Sequence, residues 1–237
     1  MANLFFTNKF IDSKFHLLEG DEAHHAIKAL RLGIGDILKI SDGKSFWVEG
    51  PIVEIAKRRL TIEEKRNGVI TLPTPELVLV QALTKSDRTK EMLELVTVSG
   101  VDRIIPWAST RTISRWQNDS KDKWLQTMQE ACKQSKRLRI PVIGSAVSTR
   151  ELCEELKSSH GIVFHESAPT KFSDISIPTS VEKIFIVIGP EGGIADEEIE
   201  LLKEAGATIT RLGEPVLRSA HAGFAALSAV QTKIGRW

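Results

Sequence analysis

The chain has 237 residues, of which 41% are hydrophobic and 27% charged, and its formal net charge at pH 7 is only +1. This composition is typical of a soluble globular protein with one large domain or two smaller ones. No apolar run approaches the ~20 residues of a membrane span, no secretory signal opens the chain, and the cysteines and histidines show neither disulfide nor metal-ligand spacing. We therefore expect a cytoplasmic protein without a metal, whose contacts with any nucleic acid depend on local basic clusters.

Residues 1–72 are predicted to form a mostly β domain. Asp42-Gly43 lies between two apolar segments, which predicts a β-hairpin, and Asn67-Gly68 also separates two apolar segments. One helix is predicted over Asp21–Leu30, with Asp21 as its N-cap. Small β-rich modules of this size are often barrels, and the proline-containing segment 71–75 is the best linker candidate.

Residues 73–237 are predicted to form a second domain, because strands and helices alternate from Glu76 onward. The predicted strands are 77–83, 104–105, 142–143, 161–165, 184–188 and 207–210, and the predicted helices are 88–99, 122–136, 149–158, 194–205 and 220–234. Such alternation favours a mostly parallel α/β sheet.

The segment Gly189–Gly193 (G-P-E-G-G) follows a buried strand and precedes a helix, an arrangement that forms sites for small ligands. Its glycine spacing matches neither the P-loop nor the dinucleotide-binding fingerprint. Glu191 also disfavours a phosphate, so a cationic ligand, or one that presents ribose hydroxyls and adenine edges, fits better. The alternative is a plain strand-to-helix turn.

Two further loops follow predicted strands. Arg211–Ser219 comes after strand 207–210, and His165-Glu166 comes after strand 161–165. Because ligands of parallel α/β sheets bind at the carboxyl ends of the strands, we expect the three loops to form one site. The two glycine-bearing loops are expected to follow adjacent strands.

Several motifs occur in a fixed order along nearly the whole chain. They are H-H at 24–25, L-R at 30–31, G-D at 35–36, D-G at 42–43, Q-A-L-T-K-S-D-R at 81–88, G-V-D-R-I-I-P at 100–106, A-C-K-Q-S-K-R at 131–137, I-G-P-E-G-G at 188–193 and L-G-E-P-V-L-R-S at 212–219. Together they resemble the RsmE family, the 16S ribosomal RNA uridine-N3 methyltransferases of the SPOUT superfamily.

The resemblance implies a fold, a cofactor and a substrate. The fold would be a small PUA-like β-barrel followed by a SPOUT-type α/β methyltransferase domain with a C-terminal trefoil knot. The cofactor would be S-adenosyl-L-methionine, bound by His165, Glu166, Ile188, Gly189, Pro190, Glu191, Gly192, Leu212, Gly213 and Leu217. The substrate would be 16S ribosomal RNA of the small ribosomal subunit, contacted by His25, Arg31, Lys85, Arg88, Arg111 and Arg137.

The segment Ala220–Val230 is apolar on nearly every side, which indicates burial within one core or between two subunits. The resemblance implies a homodimer and so favours the second alternative.

Arg218 is the candidate catalytic residue. Uridine N3 must lose a proton before or during methyl transfer, and a guanidinium beside the pocket could stabilise the negative charge that spreads to O2 and O4. A phosphate contact or a structural contact is the alternative role. No cysteine nucleophile is needed for attack at N3.

The chain departs from the family at two places. Ala220 stands where many members have a glutamate in L-R-T-E-T-A, which leaves Glu191 and His221 as candidate general bases. Leu95 and Val98 replace two charged residues of K-A-T-E-L-G-V. Two other functions therefore stay open: a SPOUT methyltransferase acting on transfer RNA or on a ribose hydroxyl, and a non-catalytic RNA-binding or ribosome-assembly factor.

Overall fold

The computed structural model describes residues 2–10 and 13–237. Its contacts divide the chain into two compact units. The first contains Met1–Leu72 and Gln129–Ile140, and the second contains Pro73–Met128 and Pro141–Trp237. The first unit therefore includes a segment from the middle of the chain, while the predicted domain boundaries at 72 and 73 stay a prediction.

The first unit is built on one six-stranded sheet. Its strands are β1 (Asn3–Phe6), β2 (Phe15–Glu19), β3 (Ile37–Ser41), β4 (Phe46–Ala56), β5 (Arg59–Glu63) and β6 (Arg66–Val69), in the order β1-β3-β4-β5-β2 with β6 paired to β4. Only the β1–β3 pair is parallel among these pairings. The register between β4 and β5 shifts between Ile52 and Glu54, and a bulge of this kind bends the long strand β4. The core of the first unit contains Phe5, Leu38 and Ile40.

The predicted hairpin at Asp42-Gly43 is confirmed. Asp42 Oδ1 accepts hydrogen bonds from the backbone N–H groups of Lys44, Ser45 and Phe46, at 2.7, 2.8 and 3.0 Å. Asn67-Gly68, in contrast, lies inside β6 and not between two strands. A Cβ atom on Gly68 would lie 2.8 Å from Trp47 Nε1, so the glycine is needed for close packing against the indole ring.

The helix predicted over Asp21–Leu30 is present but begins earlier. Helix α1 (Gly20–His24) continues into a π-helical turn over His25–Ala29. The N-cap is Glu19, so the assignment of Asp21 as N-cap was wrong. The Asp21 carboxylate instead forms an ion pair with Arg58.

The second unit is built on a seven-stranded parallel sheet, which confirms the predicted α/β class. Its strands are β7 (Glu76–Ala82), β8 (Arg103–Ala108), β9 (Val142–Ile143), β10 (Val147–Ser148), β11 (His160–Phe164), β12 (Lys183–Ile188) and β13 (Thr208–Thr210), in the order β10-β8-β7-β12-β11-β13 with β9 paired to β8. The pattern did not predict β10, in which only Val147 is apolar, whereas both residues of the predicted β9 are.

Five α-helices of the described chain follow strands of this sheet, although α3 ends within the first unit, and all five were predicted to within a few residues. They are α2 (Ser86–Val98), α3 (Ser120–Ser135), α4 (Thr149–Leu156), α5 (Asp196–Glu204) and α6 (Ser219–Lys233). Alternate strand residues face opposite sides of the sheet. Val78 and Val80 share a core with Leu152 of α4 and Leu202 of α5. Leu79 instead faces Gly223 of α6, which packs beside α2. Helices α2 and α6 therefore cover one face, and α4 and α5 cover the other.

Asp102 ties the C-terminus to the start of the sheet. Its carboxylate is 2% exposed, accepts a hydrogen bond from the backbone N–H of Leu77 at 3.0 Å, and pairs with two guanidinium nitrogens of Arg236 at 2.7 and 3.1 Å. The G-V-D-R motif therefore has a structural role at its aspartate.

The trefoil knot stays a prediction, since strand order and register do not describe how the chain threads. Within the described ranges, none of the helices has the length and apolarity needed to traverse a bilayer. The described histidines, cysteines and carboxylates also form no cluster suited to a metal ion.

Candidate active site

Two adjoining cavities lie at the carboxyl ends of β12, β11 and β13. The larger has a volume of about 250 Å³ and reaches from Ile188 and Gly189 to Arg218 and Ser219. The smaller, of about 70 Å³, includes Leu212 and Gly213. Both are lined by Phe164, His165, Glu166, Val216, Leu217 and Ala222, which shows that they adjoin.

The structure brings most of the predicted cofactor residues together. His165, Glu166, Ile188, Gly189, Pro190, Glu191, Leu212, Gly213 and Leu217 each line at least one of the two cavities, whereas Gly192 lines neither. The expectation that the two glycine-bearing loops follow adjacent strands was wrong, because β11 lies between β12 and β13. This crossover places the loop His165-Glu166 between the other two loops, so that all three line the larger cavity.

Two glycines of the G-P-E-G-G loop are required by its geometry. A Cβ atom on Gly189 would lie 2.6 Å from Ile194 Cγ1, and Gly193 has a φ of +73°, which side chains rarely adopt. A Cβ atom on Gly192 would meet nothing closer than Arg111 Cβ at 3.5 Å. The carbonyl of Gly192 instead accepts a hydrogen bond from Arg111 Nη1 at 3.1 Å. Arg111, predicted to contact RNA, thus holds the loop from outside the cavity.

The first turn of α6 is attached to the same loop through buried polar groups. Ser219 Oγ donates to the carbonyl of Gly189 at 2.7 Å and accepts from Gln81 Nε2 at 2.9 Å. Gln81 is completely buried on β7. The sequence pattern did not predict this role, although Gln81 is the first residue of the motif at 81–88 and Ser219 is the last of the motif at 212–219.

Charged groups surround the larger cavity. Glu166, Glu191 and Arg218 line it and are exposed. Nearby, Glu91 of α2 lies 3.0 Å from His221 Nε2, and the pKa of Glu91 is lowered by this hydrogen bond and by the charges of His221, Arg88 and Arg218. Arg88 and Arg218 therefore both lie close enough to Glu91 for their charges to lower its pKa.

The two candidate general bases differ in position. Glu191 lines the larger cavity, whereas His221 is paired with Glu91 and lies outside the lining of both cavities. Ala220 is 2% exposed and does not line them either. The geometry therefore favours Glu191 over His221 as the group nearest to a bound substrate.

Neither cysteine provides a nucleophile at the cavities. Cys132 lies in the first unit beside Leu4 and Phe6, and burial raises the pKa of its thiol to about 11. Burial also raises the pKa of Cys153, which packs in the core of the second unit. Both thiols are therefore protonated near neutral pH.

The residues predicted to contact RNA fall into two groups. In the first unit, His25 is exposed beside Lys28 and Lys133, Arg31 is exposed, and Arg137 is half-buried next to Cys132. In the second unit, Lys85 lines a separate cleft, Arg88 lies near Glu91, and Arg111 contacts Gly192.

The two departures from the family pattern at Leu95 and Val98 lie on α2. Leu95 is half-buried, and Val98 is 46% exposed in the last turn of the helix. No contact in the structure explains why charged residues are absent at these two positions.

Residues 71–231 match the family model of an RNA methyltransferase domain, and residues 18–65 match that of an RNA methyltransferase PUA domain. The ribosomal RNA small subunit methyltransferase E of Mycobacterium tuberculosis is 31% identical over 247 residues, which cover 100% of this chain and 94% of that protein. The protein of the same name from Rickettsia conorii is 28% identical and covers 93% of this chain and 90% of its own length.

A solved structure is similar over the same extent. The ribosomal RNA small subunit methyltransferase E from Neisseria gonorrhoeae, bound to S-adenosyl methionine, has a TM-score of 0.86 and 25% identity over 98% of each chain. These matches confirm the predicted order of a PUA-like domain followed by an α/β methyltransferase domain. The chain belongs to the RNA methyltransferase family that includes ribosomal RNA small subunit methyltransferase E.

Proposed function

We propose that the protein methylates N3 of a uridine in 16S ribosomal RNA of the small ribosomal subunit, with S-adenosylmethionine as the methyl donor. Family membership and the name of the relatives support the substrate. The similar Neisseria gonorrhoeae enzyme was crystallised with this cofactor, which supports the donor. A cytoplasmic location follows from action on ribosomal RNA.

One observation carries the proposal: nearly all the predicted cofactor residues line two adjoining cavities at one end of the sheet. Their lining suits S-adenosylmethionine. Phe164, Ile188 and Leu217 supply apolar walls for an adenine ring, and loop backbone groups can read its edges and the ribose. The carboxylates of Glu166 and Glu191 complement a positively charged ligand.

The residues of this chain have three tasks in the reaction. The bound cofactor supplies a methyl group that is already activated on a sulfonium, so the protein has mainly to position the uracil ring. In this proposal Glu191 accepts the N3 proton, because it is the one of the two candidate bases that lines the cavity. Arg218 is placed to stabilise negative charge on a uracil carbonyl oxygen.

Modified nucleosides of ribosomal RNA from cells with and without this protein test the proposal. We expect cells that lack it to lose N3-methyluridine from 16S RNA, and the intact gene to restore it. Loss of a methyl group from transfer RNA or from a ribose hydroxyl would identify the other SPOUT substrate class. An unchanged methylation pattern together with no cofactor binding would identify a non-catalytic factor.

Cofactor binding is measured separately by calorimetry on the purified protein. We expect one site per chain, and Ala222→Phe should abolish binding because Ala222 lines both cavities. Thr232→Phe, an exposed change near the end of the same helix, is the matched control and should bind normally. Equal binding by both variants would place the cofactor elsewhere.

A further inference from the structure

A further cavity of the second unit lies outside the proposed cofactor site. It has a volume of about 590 Å³ and lies between the end of β7, helix α2, the loop 109–119 and the first turns of α3. We call it the tryptophan cleft because Trp116 and Trp124 both line it. The described residues that line it differ from those that line the two cofactor cavities.

The described charged residues that line the tryptophan cleft are all basic. Lys85, Lys90, Arg115 and Lys123 line it, and none of its described lining residues carries a carboxylate. Lys90 and Lys123 have exposed partners, Glu94 at 3.9 Å and Asp119 at 2.7 Å, and exposed pairs of this kind are weak. Within the described part of the chain, Lys85 and Arg115 have no carboxylate partner.

The aromatic wall gives the cleft a flat apolar surface. The rings of Trp116 and Trp124 meet edge to face, with centroids 4.9 Å apart and an interplanar angle of 88°. Trp124 is only 6% exposed and is fixed in the core, whereas Trp116 is half-buried. The buried indole of Trp124 therefore holds Trp116 in place at the cleft.

This combination of groups matches a single-stranded nucleic acid. A base stacks on an exposed aromatic ring, and cations on the rim contact the phosphates on either side. The threonine and serine hydroxyls of Thr84, Thr89 and Ser114 also line the cleft and can contact ribose or phosphate oxygens. An apolar small molecule would leave four cations without a function.

The position of the cleft connects it to the proposed methyl transfer. Strand β7 pairs with β12, and Gln81 lies opposite Ile188 at the edge of the cofactor cavity. The cleft begins two residues further along, at Leu83. Helix α2 contributes Thr89 and Lys90 to the cleft, and its Glu91 contacts His221 in the first turn of α6.

We propose that the tryptophan cleft binds an unpaired nucleotide next to the methylated uridine, with its base stacked on Trp116 and its flanking phosphates on Lys85 and Arg115. This inference rests on the proposed function, since it assumes an RNA substrate at the neighbouring cavity. It assigns a binding role to Trp116 and Arg115, which the sequence motifs did not single out.

Fluorescence anisotropy with a labelled oligouridylate of about ten nucleotides tests the stacking. Trp116→Ala should weaken binding by about 5- to 150-fold, and Trp116→Phe should restore most of it, because a phenyl ring still stacks. A blunt RNA duplex of similar length should bind both variants like the unchanged protein. An equal loss for duplex and single strand, or no loss for either, would overturn the proposal.

Salt dependence tests the phosphate contacts. Lys85→Gln and Arg115→Gln should each weaken binding and reduce the slope of log affinity against log salt by about 0.7. Arg150→Gln on α4 and Lys203→Gln on α5 are matched controls, because both residues are exposed on helices that cover the other face of the sheet. Slopes that are unchanged in the cleft variants, or reduced equally in the controls, would overturn the assignment.

The failure of this inference can be told apart from failure of the proposed function. Calorimetry should show unchanged cofactor affinity in every cleft variant, which also reports a folded second unit. If the unchanged protein neither binds the cofactor nor methylates 16S RNA, the proposed function fails. The unchanged protein could instead bind the cofactor and methylate 16S RNA, while the cleft variants have the same RNA affinity and the same KM for RNA. In that case only the cleft assignment fails.

Discussion

At the scale of single residues, the structure gives Arg218 neighbours that sequence order does not show. Glu214 is its nearest acidic residue along the chain, but the charge of Arg218 also acts on Glu91 of α2. Arg218 lines the larger cavity at the N-cap of α6, where the chain is extended and the side chain is exposed. It is therefore placed to contact a substrate in that cavity.

We predict that Arg218→Ala lowers the rate of methyl transfer much more than it lowers cofactor affinity. Loss of one donor to a developing oxyanion typically costs ~2.7–4 kcal/mol, roughly a hundred- to thousand-fold in rate. Single-turnover rates at saturating RNA and cofactor measure this loss directly. Arg150→Ala is the control. A near-normal rate at saturation, with weaker RNA binding, would assign Arg218 to a phosphate contact instead.

The sequence motifs predicted most of the residues that line the cavities, because the geometry of the loop requires glycine at particular positions of the motif. Gly189 and Gly193 have the close contact and the positive φ that justify them. Gly192 shares the motif but has neither feature, and only the three-dimensional contacts separate it from the other two. Trp116 contacts Trp124 because the loop 109–119 folds back onto α3, and the periodicity of the sequence does not predict such a contact. The adjacent Arg115 and Trp116 were the one available signal.

At the scale of elements, the helices of the second unit were predictable because helices and strands alternate along the chain. Helix α6 differs from the others in a sequence that is apolar on nearly every side. The register and order of the strands were not, since β11 enters the sheet between β12 and β13. Short elements such as β10 and the π-helical turn after α1 depend on tertiary contacts. The G-V-D-R motif illustrates the same limit, because Asp102 meets its partner Arg236 at the far end of the chain.

We predict that Asp102→Ala destabilises the second unit by about 3–5 kcal/mol, since it leaves the guanidinium of Arg236 and the N–H of Leu77 without this acceptor. Urea unfolding followed by circular dichroism measures the change. Replacing Arg236 by methionine in the same chain should recover part of the loss, because the unpaired charge is removed. Glu154→Ala, which breaks an exposed pair with Lys157, should cost less than about 1 kcal/mol. Equal losses for the two alanine variants would refute the structural role of Asp102.

At the scale of the whole molecule, we propose a homodimer that uses α6. Ala226, Leu227 and Val230 of this helix are buried within the chain, whereas Phe224 and Ala225 are only half-buried. An apolar surface of this kind is typical of a subunit interface, and the family resemblance implies one.

We predict that the unchanged protein sediments as a dimer at micromolar concentration and that Phe224→Glu shifts it to a monomer. A buried charge without a partner at the interface is the physical reason. Thr232→Glu, in the last turn of the same helix and exposed, should remain dimeric. A folded monomer of the unchanged chain would contradict the proposal.

The division of the first unit between two parts of the chain has a consequence for synthesis. Its last segment, Gln129–Ile140, contributes Cys132 beside Leu4 and Phe6, and the Ile140 N–H donates to the Gly43 carbonyl at 2.9 Å. A growing polypeptide that has reached Leu72 therefore still lacks part of its own N-terminal core. Translation of residues 73–140 takes roughly 3–14 s at ~5–20 residues per second. During that interval, Leu4 and Phe6 lack the contact with α3 that covers them in the folded protein.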